Sequence, residues 1–469
     1  MRLIHSAFIG GAIGIMLVVP TFAESPVAAD MDQPTSVRNA AIANDSYLCF
    51  AQQDATNATP ASPETKRQNS NSDTTAAAGC CPTSCGNADC FCSGSGVFNC
   101  NLGDPWKLPE LCVLSERNIK ISGWIEAGAY TNQYDAATNG PLGLRDQKYF
   151  NLDQLWFTAE RATNTENKDF DIGGRVDYLF GVDGPDTQCF GDQSFDYGWT
   201  SSYSPNGAPL YGSAMPQLYG EMAFRDLKVK MGHFYTPMGN EIFPATGNFF
   251  YSHSYMFYYA EPFTHTGFLA TYKFSDKLSG SAGWANGWDS GFGDNNHGSI
   301  FLGGLTLTPS EKTTLAWYMC SGYWGDGRAF ANASTDNIFM NSLVFTYKLT
   351  ERWTYIFQND YAMNSNRPDD NSWYGISQYL TYKINECWSF GGRIEWFRDD
   401  DGVRVIAGDA GDYNEMSAGI NYKPHANILI RPELRYDWYN GTVGPNGNPF
   451  NDGNSSTQLA GGCDVIFTY

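Results

Sequence analysis

From residue 118 to residue 469, apolar and polar positions alternate with a period of two in segments of about ten residues, as in a strand with one face in lipid and one in water. In 427–439, Ile428, Ile430, Leu434, Tyr436 and Trp438 share one face, and Arg431, Glu433, Arg435 and Asp437 the other. In 169–181, Phe170, Ile172, Val176, Tyr178 and Phe180 oppose Asp171, Arg175 and Asp177. In 387–398, Trp388, Phe390, Ile394 and Trp396 oppose Arg393 and Glu395. The pattern predicts sixteen strands, near 118–131, 149–161, 169–182, 214–225, 227–235, 264–275, 277–288, 298–308, 312–322, 338–349, 352–363, 372–384, 386–398, 413–423, 426–439 and 456–469. Short connections such as Arg225-Asp226, Ser275-Asp276, Thr350-Glu351 and Pro424-His425 alternate with long polar loops at 183–213, 236–263, 323–337, 399–412 and 440–455.

An even strand count with short turns on one side and long loops on the other predicts an all-β fold, a transmembrane antiparallel β-barrel of sixteen strands. A soluble propeller or sandwich is the competing reading, since it too has many strands. It would not place Arg175, Arg393, Arg431 and Glu433 in mid-strand on one consistent face. Trp156, Tyr272, Trp353, Tyr382, Trp396, Tyr422 and Trp438 near strand ends are expected in the two interfacial aromatic girdles. The sequence ends within a strand, "STQLAGGCDVIFTY", with no turn or polar tail. A closed barrel pairs its last strand with its first, so this leaves no edge. Val465, Phe467 and Tyr469 are expected to face lipid, and Asp464 and Thr468 the lumen. This aromatic-ended strand is similar to the sorting signal of bacterial outer-membrane proteins, although that signal usually ends in Phe.

Residues 1–23 have the form of a signal peptide: Arg2, a short apolar core from Ala7 to Val19, and Thr21-Phe22-Ala23 before the cut. Its removal leaves 28 basic against 50 acidic residues, a net charge of −22, which argues against nucleic acid as a partner. Residues 24–78, rich in Ala, Thr, Asn, Ser and Pro without an apolar period, read as a disordered linker. A Cys-rich segment, 79–117, precedes the barrel at 118–469. With Cys49 before it, Cys80, Cys81, Cys85, Cys90, Cys92, Cys100 and Cys112 make eight of the twelve cysteines of the chain. In an exported protein such density points to disulfides. A metal site is the sharper alternative, but paired C-x-x-C spacing is missing and no His lies between residues 6 and 232. The segment is expected to be dispensable for the barrel.

Two stretches, "LGDPWKLPE" and 215–294, beginning "MPQLYGEMAFRDLKVKMGHFYTPMGNEIFPATGNFFYSHSYMFYYAEPF", resemble the outer-membrane β-barrel porins of the OmpL-like family. The resemblance covers about 102–469 and implies a passive channel in the bacterial outer membrane. Its partners would be membrane lipids and small hydrophilic solutes or ions. A sixteen-strand barrel is wide enough to hold water, so selectivity depends on what narrows it. The candidate is the aromatic loop 236–263, the third external loop counted from a periplasmic N-terminus, whose rings would be a sticky patch if left outside. The competing place for it is a subunit interface. It carries Glu241 and Glu261 and no Lys or Arg. By parity the lumen also receives Arg175, Lys228, Lys230, Arg393, Arg431 and Arg435, with Asp177, Glu221, Asp360, Glu395, Glu433 and Asp437. This near-balanced set predicts a transverse field across the pore, with simple pairing of these groups as the alternative. The six histidines form no H-E-x-x-H spacing and no G-x-S-x-G occurs, so neither an enzyme nor a cofactor is expected. The acidic loop with Asp399, Asp400, Asp401, Asp409 and Asp412 lacks calcium-loop spacing and reads as solvated. The main rival function is a structural or adhesive barrel working through its Cys-rich segment. A homotrimer is expected only by analogy with other sixteen-strand porins.

Overall fold

The computed structural model describes residues 98 and 100–469, apart from 110, 135–138, 142–148, 191–194, 197, 204–208, 296, 326–336, 366–369, 407 and 446. The expected signal peptide and linker, and Cys49, Cys80, Cys81, Cys85, Cys90 and Cys92, lie outside the described residues.

Sixteen antiparallel strands close into a barrel. They are β1 (Lys120–Asn132), β2 (Asn151–Arg161), β3 (Phe170–Gly181), β4 (Pro209–Phe224), β5 (Leu227–Tyr235), β6 (Thr264–Ser275), β7 (Leu278–Ala285) and β8 (Ser299–Ser310). The second half comprises β9 (Thr313–Tyr323), β10 (Asn337–Lys348), β11 (Trp353–Ser365), β12 (Asn371–Lys383), β13 (Trp388–Asp399), β14 (Gly411–His425), β15 (Ile428–Gly441) and β16 (Thr457–Thr468). The main departure from the sequence expectation is β4, which starts five residues earlier and pairs there with a four-residue ribbon, Thr200–Tyr203. Closure joins β16 to β1, with Phe467 opposite Ile125 and Asp464 opposite Gly128. Tyr469 continues the ladder, its N–H donating to the Gly123 carbonyl at 3.0 Å.

The alternation along each strand becomes an outer apolar band and a polar inner wall. In β15, Leu434 is 56% exposed and Tyr436 43%, whereas Arg435 is 1% and Asp437 0% exposed. Outward aromatic rings gather near the short turns: Trp353 lies 4.6 Å from Tyr382 and 5.8 Å from Phe390, and Trp388 stacks on Tyr422 at 4.0 Å. Trp156 corrects the expected girdle. It shares the inward parity of Gln154 and Thr158, is fully buried, and stacks on Trp124 at 4.6 Å with Phe243 beyond it. An aromatic near a strand end joins a girdle only when its parity points outward.

The residues before β1 follow the short-turn rim. Cys100 is disulfide-bonded to Cys387 in the β12–β13 turn, 287 residues away. Leu102 accepts from the Ala426 N–H in the β14–β15 turn, and Trp106 exchanges hydrogen bonds with Asn427 at 2.7 and 3.0 Å. A short helix, Cys112–Ser115, then leads into β1. Cys112 is an exposed free thiol. The described residues of the segment expected to be dispensable, 98, 100–109 and 111–117, are tied to the barrel, covalently at one point, through a cysteine that lies outside the Cys-rich stretch.

Candidate functional site

The loop between β5 and β6, residues 236–263, lies inside the barrel. Its sequence offers no partner strand, so its backbone N–H groups must find acceptors elsewhere. The wall carboxylates supply them. Glu395 on β13 accepts from the N–H of Tyr255 and of Met256, each at 2.7 Å. Glu433 on β15 accepts from the N–H of Tyr251 at 2.9 Å and of Ser252 at 3.1 Å, and from the Ser252 hydroxyl. The loop's own Glu241 accepts from the Ser254 N–H at 2.8 Å. Gly239, at φ +83°, makes the first bend, where a Cβ would fall 2.2 Å from the Glu261 carboxylate.

Three wall arginines hold the carbonyl side. Arg431 donates through Nη1 to the carbonyls of Ala245, Asn248 and Phe250 at 2.9, 2.9 and 3.0 Å. Its Nη2 pairs with Asp464 at 2.6 Å and Glu126 at 2.8 Å. Arg393 pairs with Glu241 at 2.6 Å and Glu415 at 2.5 Å, and lies over the Phe250 ring. Arg435 pairs with Asp437 at 2.8 Å, donates to the His253 carbonyl and lies over the Tyr255 ring. The aromatic side chains fill the space between: Tyr255, Phe257, Tyr259 and Phe263 pack with Tyr413 and Phe397 from the wall. This is a buried, densely connected polar network of the kind that fixes one arrangement.

Of the residues proposed from sequence, Glu241, Arg393, Glu395, Arg431, Glu433 and Arg435 meet at this seat. Arg175, Lys228 and Lys230 do not. They line β3 and β5, where Arg175 pairs with Asp177 at 2.9 Å and Lys228 approaches Glu221 at 3.8 Å. The expected field across open water is replaced by contact, since Arg393, Arg431 and Arg435 are only 1–2% exposed. At the seat itself carboxyl groups outnumber bases: the three guanidinium groups meet seven of them, Glu126, Glu241, Glu395, Glu415, Glu433, Asp437 and Asp464. A cavity of about 10 Å³, room for roughly one water, lies at the loop's edge between Glu126, Gln154, Asn248, His253 and Arg431.

Sequence reasoning missed Glu126 and Glu415, although strand parity carried the signal, and Asp153, which a register shift in β2 turns inward against the parity of Gln154 and which accepts from the Tyr251 hydroxyl at 2.9 Å. Glu415 alternates inward with Tyr413 and Ser417. Arg404, in the β13–β14 loop, gave no local signal. It donates to the Tyr259 carbonyl at 2.7 Å and lies over Trp373, pinning the far end of the inner loop. Asp399, the last residue of β13, accepts from three successive N–H groups of the β13–β14 loop, Val403 to Val405, so it serves as an internal cap. Burial alone opposes ionisation of Glu241, but Arg393, His253 and the Ser254 N–H outweigh it and hold the carboxyl well below its ordinary range. Burial pushes the Arg404 guanidinium down to about 10, against Asp399 and Asp289, which raise it.

The family model described as "Putative beta-barrel porin-2, OmpL-like" matches residues 118–469. Among solved structures, the chain is similar to an anion-selective porin from Comamonas acidovorans, at 8% identity and a TM-score of 0.53, covering 75% of this chain and 99% of that one. It is also similar to Salmonella typhi OmpF in complex with daunomycin, at 11% identity and a TM-score of 0.50, covering 76% of this chain and 99% of that one. Both likenesses concern the fold. A comparison with curated proteins finds no match.

Proposed function

The chain belongs to the OmpL-like β-barrel porin-2 family and is an outer-membrane porin, a channel rather than an enzyme; on that footing we propose a narrow passive-diffusion channel whose passage is set by the inner loop 236–263 and which favours cations. The observation that carries this reading is the acid excess at the loop's seat, seven carboxyl groups around three arginines. A narrow passage bounded by an excess of one sign filters ions of the other. The tight packing of the loop favours small ions and small hydrophilic solutes over larger ones, because large solutes need the loop to move. Export by residues 1–23 and assembly as a homotrimer belong to the same proposal. The exposed rings of Trp199 and Phe292 on the long-loop side supply apolar surface for a neighbouring copy. Reversal potentials of the purified protein in planar bilayers under a salt gradient test the selectivity, and liposome swelling with sugars of rising size tests the cutoff. A reversal potential of the anion-selective sign, or free passage of disaccharides, would falsify the reading.

A further inference from the structure

The segment before β1 leaves apolar side chains uncovered at one particular height of the barrel. Phe98, Trp106, Leu108, Leu111 and Val113 are 52, 54, 42, 64 and 63% exposed. Its contacts place it on the outside of the barrel. Phe98 packs edge-on against Trp388 at 5.6 Å, and Trp388 stacks on Tyr422, both on the outward parity of β13 and β14. Trp106 stacks on His425 at 4.1 Å and reaches Phe467, an outward residue of β16, at 5.6 Å. Further along, the Arg117 carbonyl accepts from Arg161 at the end of β2. The segment thus runs around the outer rim from the β12–β13 turn to β1, at the level of the short-turn aromatic girdle.

We propose that Cys100–Pro109 and Leu111–Arg117 form a membrane-interfacial belt, lying flat in the headgroup region of the periplasmic leaflet and held to the barrel by the Cys100–Cys387 disulfide. The occupant of its apolar side is phospholipid. The strip extends the lipid-facing surface of the barrel, and a Trp with Leu and Val side chains beside it, among the exposed charged groups Asp104, Lys107, Glu116 and Arg117, is a composition that sits at a bilayer interface. Exposed to water instead, the large apolar groups of Trp106, Leu108, Leu111 and Val113 would be an aggregation surface. The disulfide matters because the belt is too short and too irregular to bind a bilayer alone. Fixing one end to the β12–β13 turn leaves little ordering entropy to be lost on contact.

The test uses the full-length oxidised protein in phosphatidylethanolamine–phosphatidylglycerol vesicles. A photoreactive benzophenone side chain is placed at position 111, at position 113, or, as the aqueous reference, at Asp452 in the last long loop, and the illuminated protein is analysed by intact mass. The expected result is a phospholipid adduct at 111 and 113, in at least several-fold higher yield than at 452. Adducts at 111 and 113 to protein alone, whether to a second copy or to the chain's own N-terminal region, would overturn the proposal, as would lipid yields equal to the reference. All three sites are exposed, and heat-modifiable migration checks folding of each variant. Conductance plays no part in the readout, so a failure here leaves the channel reading untouched.

Discussion

Replacing Arg431 by Met should unseat the inner loop. The substitution keeps the apolar stem and removes the guanidinium that donates to the carbonyls of Ala245, Asn248 and Phe250 and pairs with Asp464 and Glu126. Three lost hydrogen bonds at about 1 kcal/mol each give about 3 kcal/mol against the seated loop. Two carboxyl groups are also left buried without a cation, and breaking a buried pair in this way costs about 3–5 kcal/mol. That second cost is relieved when the loop leaves and water enters, so it too disfavours the seated state. The first contribution alone lowers the seated-to-unseated ratio by about a hundredfold, at tenfold per 1.4 kcal/mol. Single-channel recording should show a larger and noisier conductance than the parent, in a barrel whose heat-modifiable migration is unchanged. Adding Glu126→Gln and Asp464→Asn removes the stranded charges but not the lost carbonyl bonds, so the triple variant should lie between the two. Unchanged conductance and noise in a properly folded Arg431→Met barrel would show that the loop is held by its aromatic packing and that the wall arginines are incidental.

Glu241→Lys sets a second cation against Arg393 and should move the reversal potential towards anions, with a larger conductance as the loop loosens. Deleting about ten residues within 244–256 should raise single-channel conductance, and the same value as the parent would place the passage elsewhere. Val465→Arg faces lipid and should cut the heat-modifiable folded fraction, at up to roughly 2–4 kcal/mol near mid-membrane, while Thr468→Arg on the lumen side should be mild. Cys387→Ser removes a link that spans 287 residues, for which chain entropy gives on the order of 5 kcal/mol, so the urea midpoint should fall while conductance holds.

The strands were legible because lipid and water impose a two-residue period that no other environment on this chain enforces. The boundary of β5 (Leu227–Tyr235) agrees to the residue, and β13 to within two. Parity also assigned the inner faces of β13 and β15, and with them the five wall groups Arg393, Glu395, Arg431, Glu433 and Arg435 that meet the loop, beside the loop's own Glu241. What periodicity does not encode is depth and partner. Trp156 was misplaced because ring chemistry was weighed without its parity, and Cys387 was overlooked because its partner is distant in sequence and close only once β12 and β13 are neighbours. The electrostatics of the site failed to emerge for the same reason. Counting charges on strands gives a balance, but the loop selects which of them it touches. It needs acceptors for Tyr251, Ser252, Tyr255 and Met256, whose N–H groups have no ladder, and carboxylates meet that need where arginines cannot. An inward-folded irregular loop thus draws an acid-rich wall to itself through its own backbone donors. The surplus of carboxyl groups over guanidinium groups at the loop's seat follows in part from how the loop is held, before any demand of selectivity is considered.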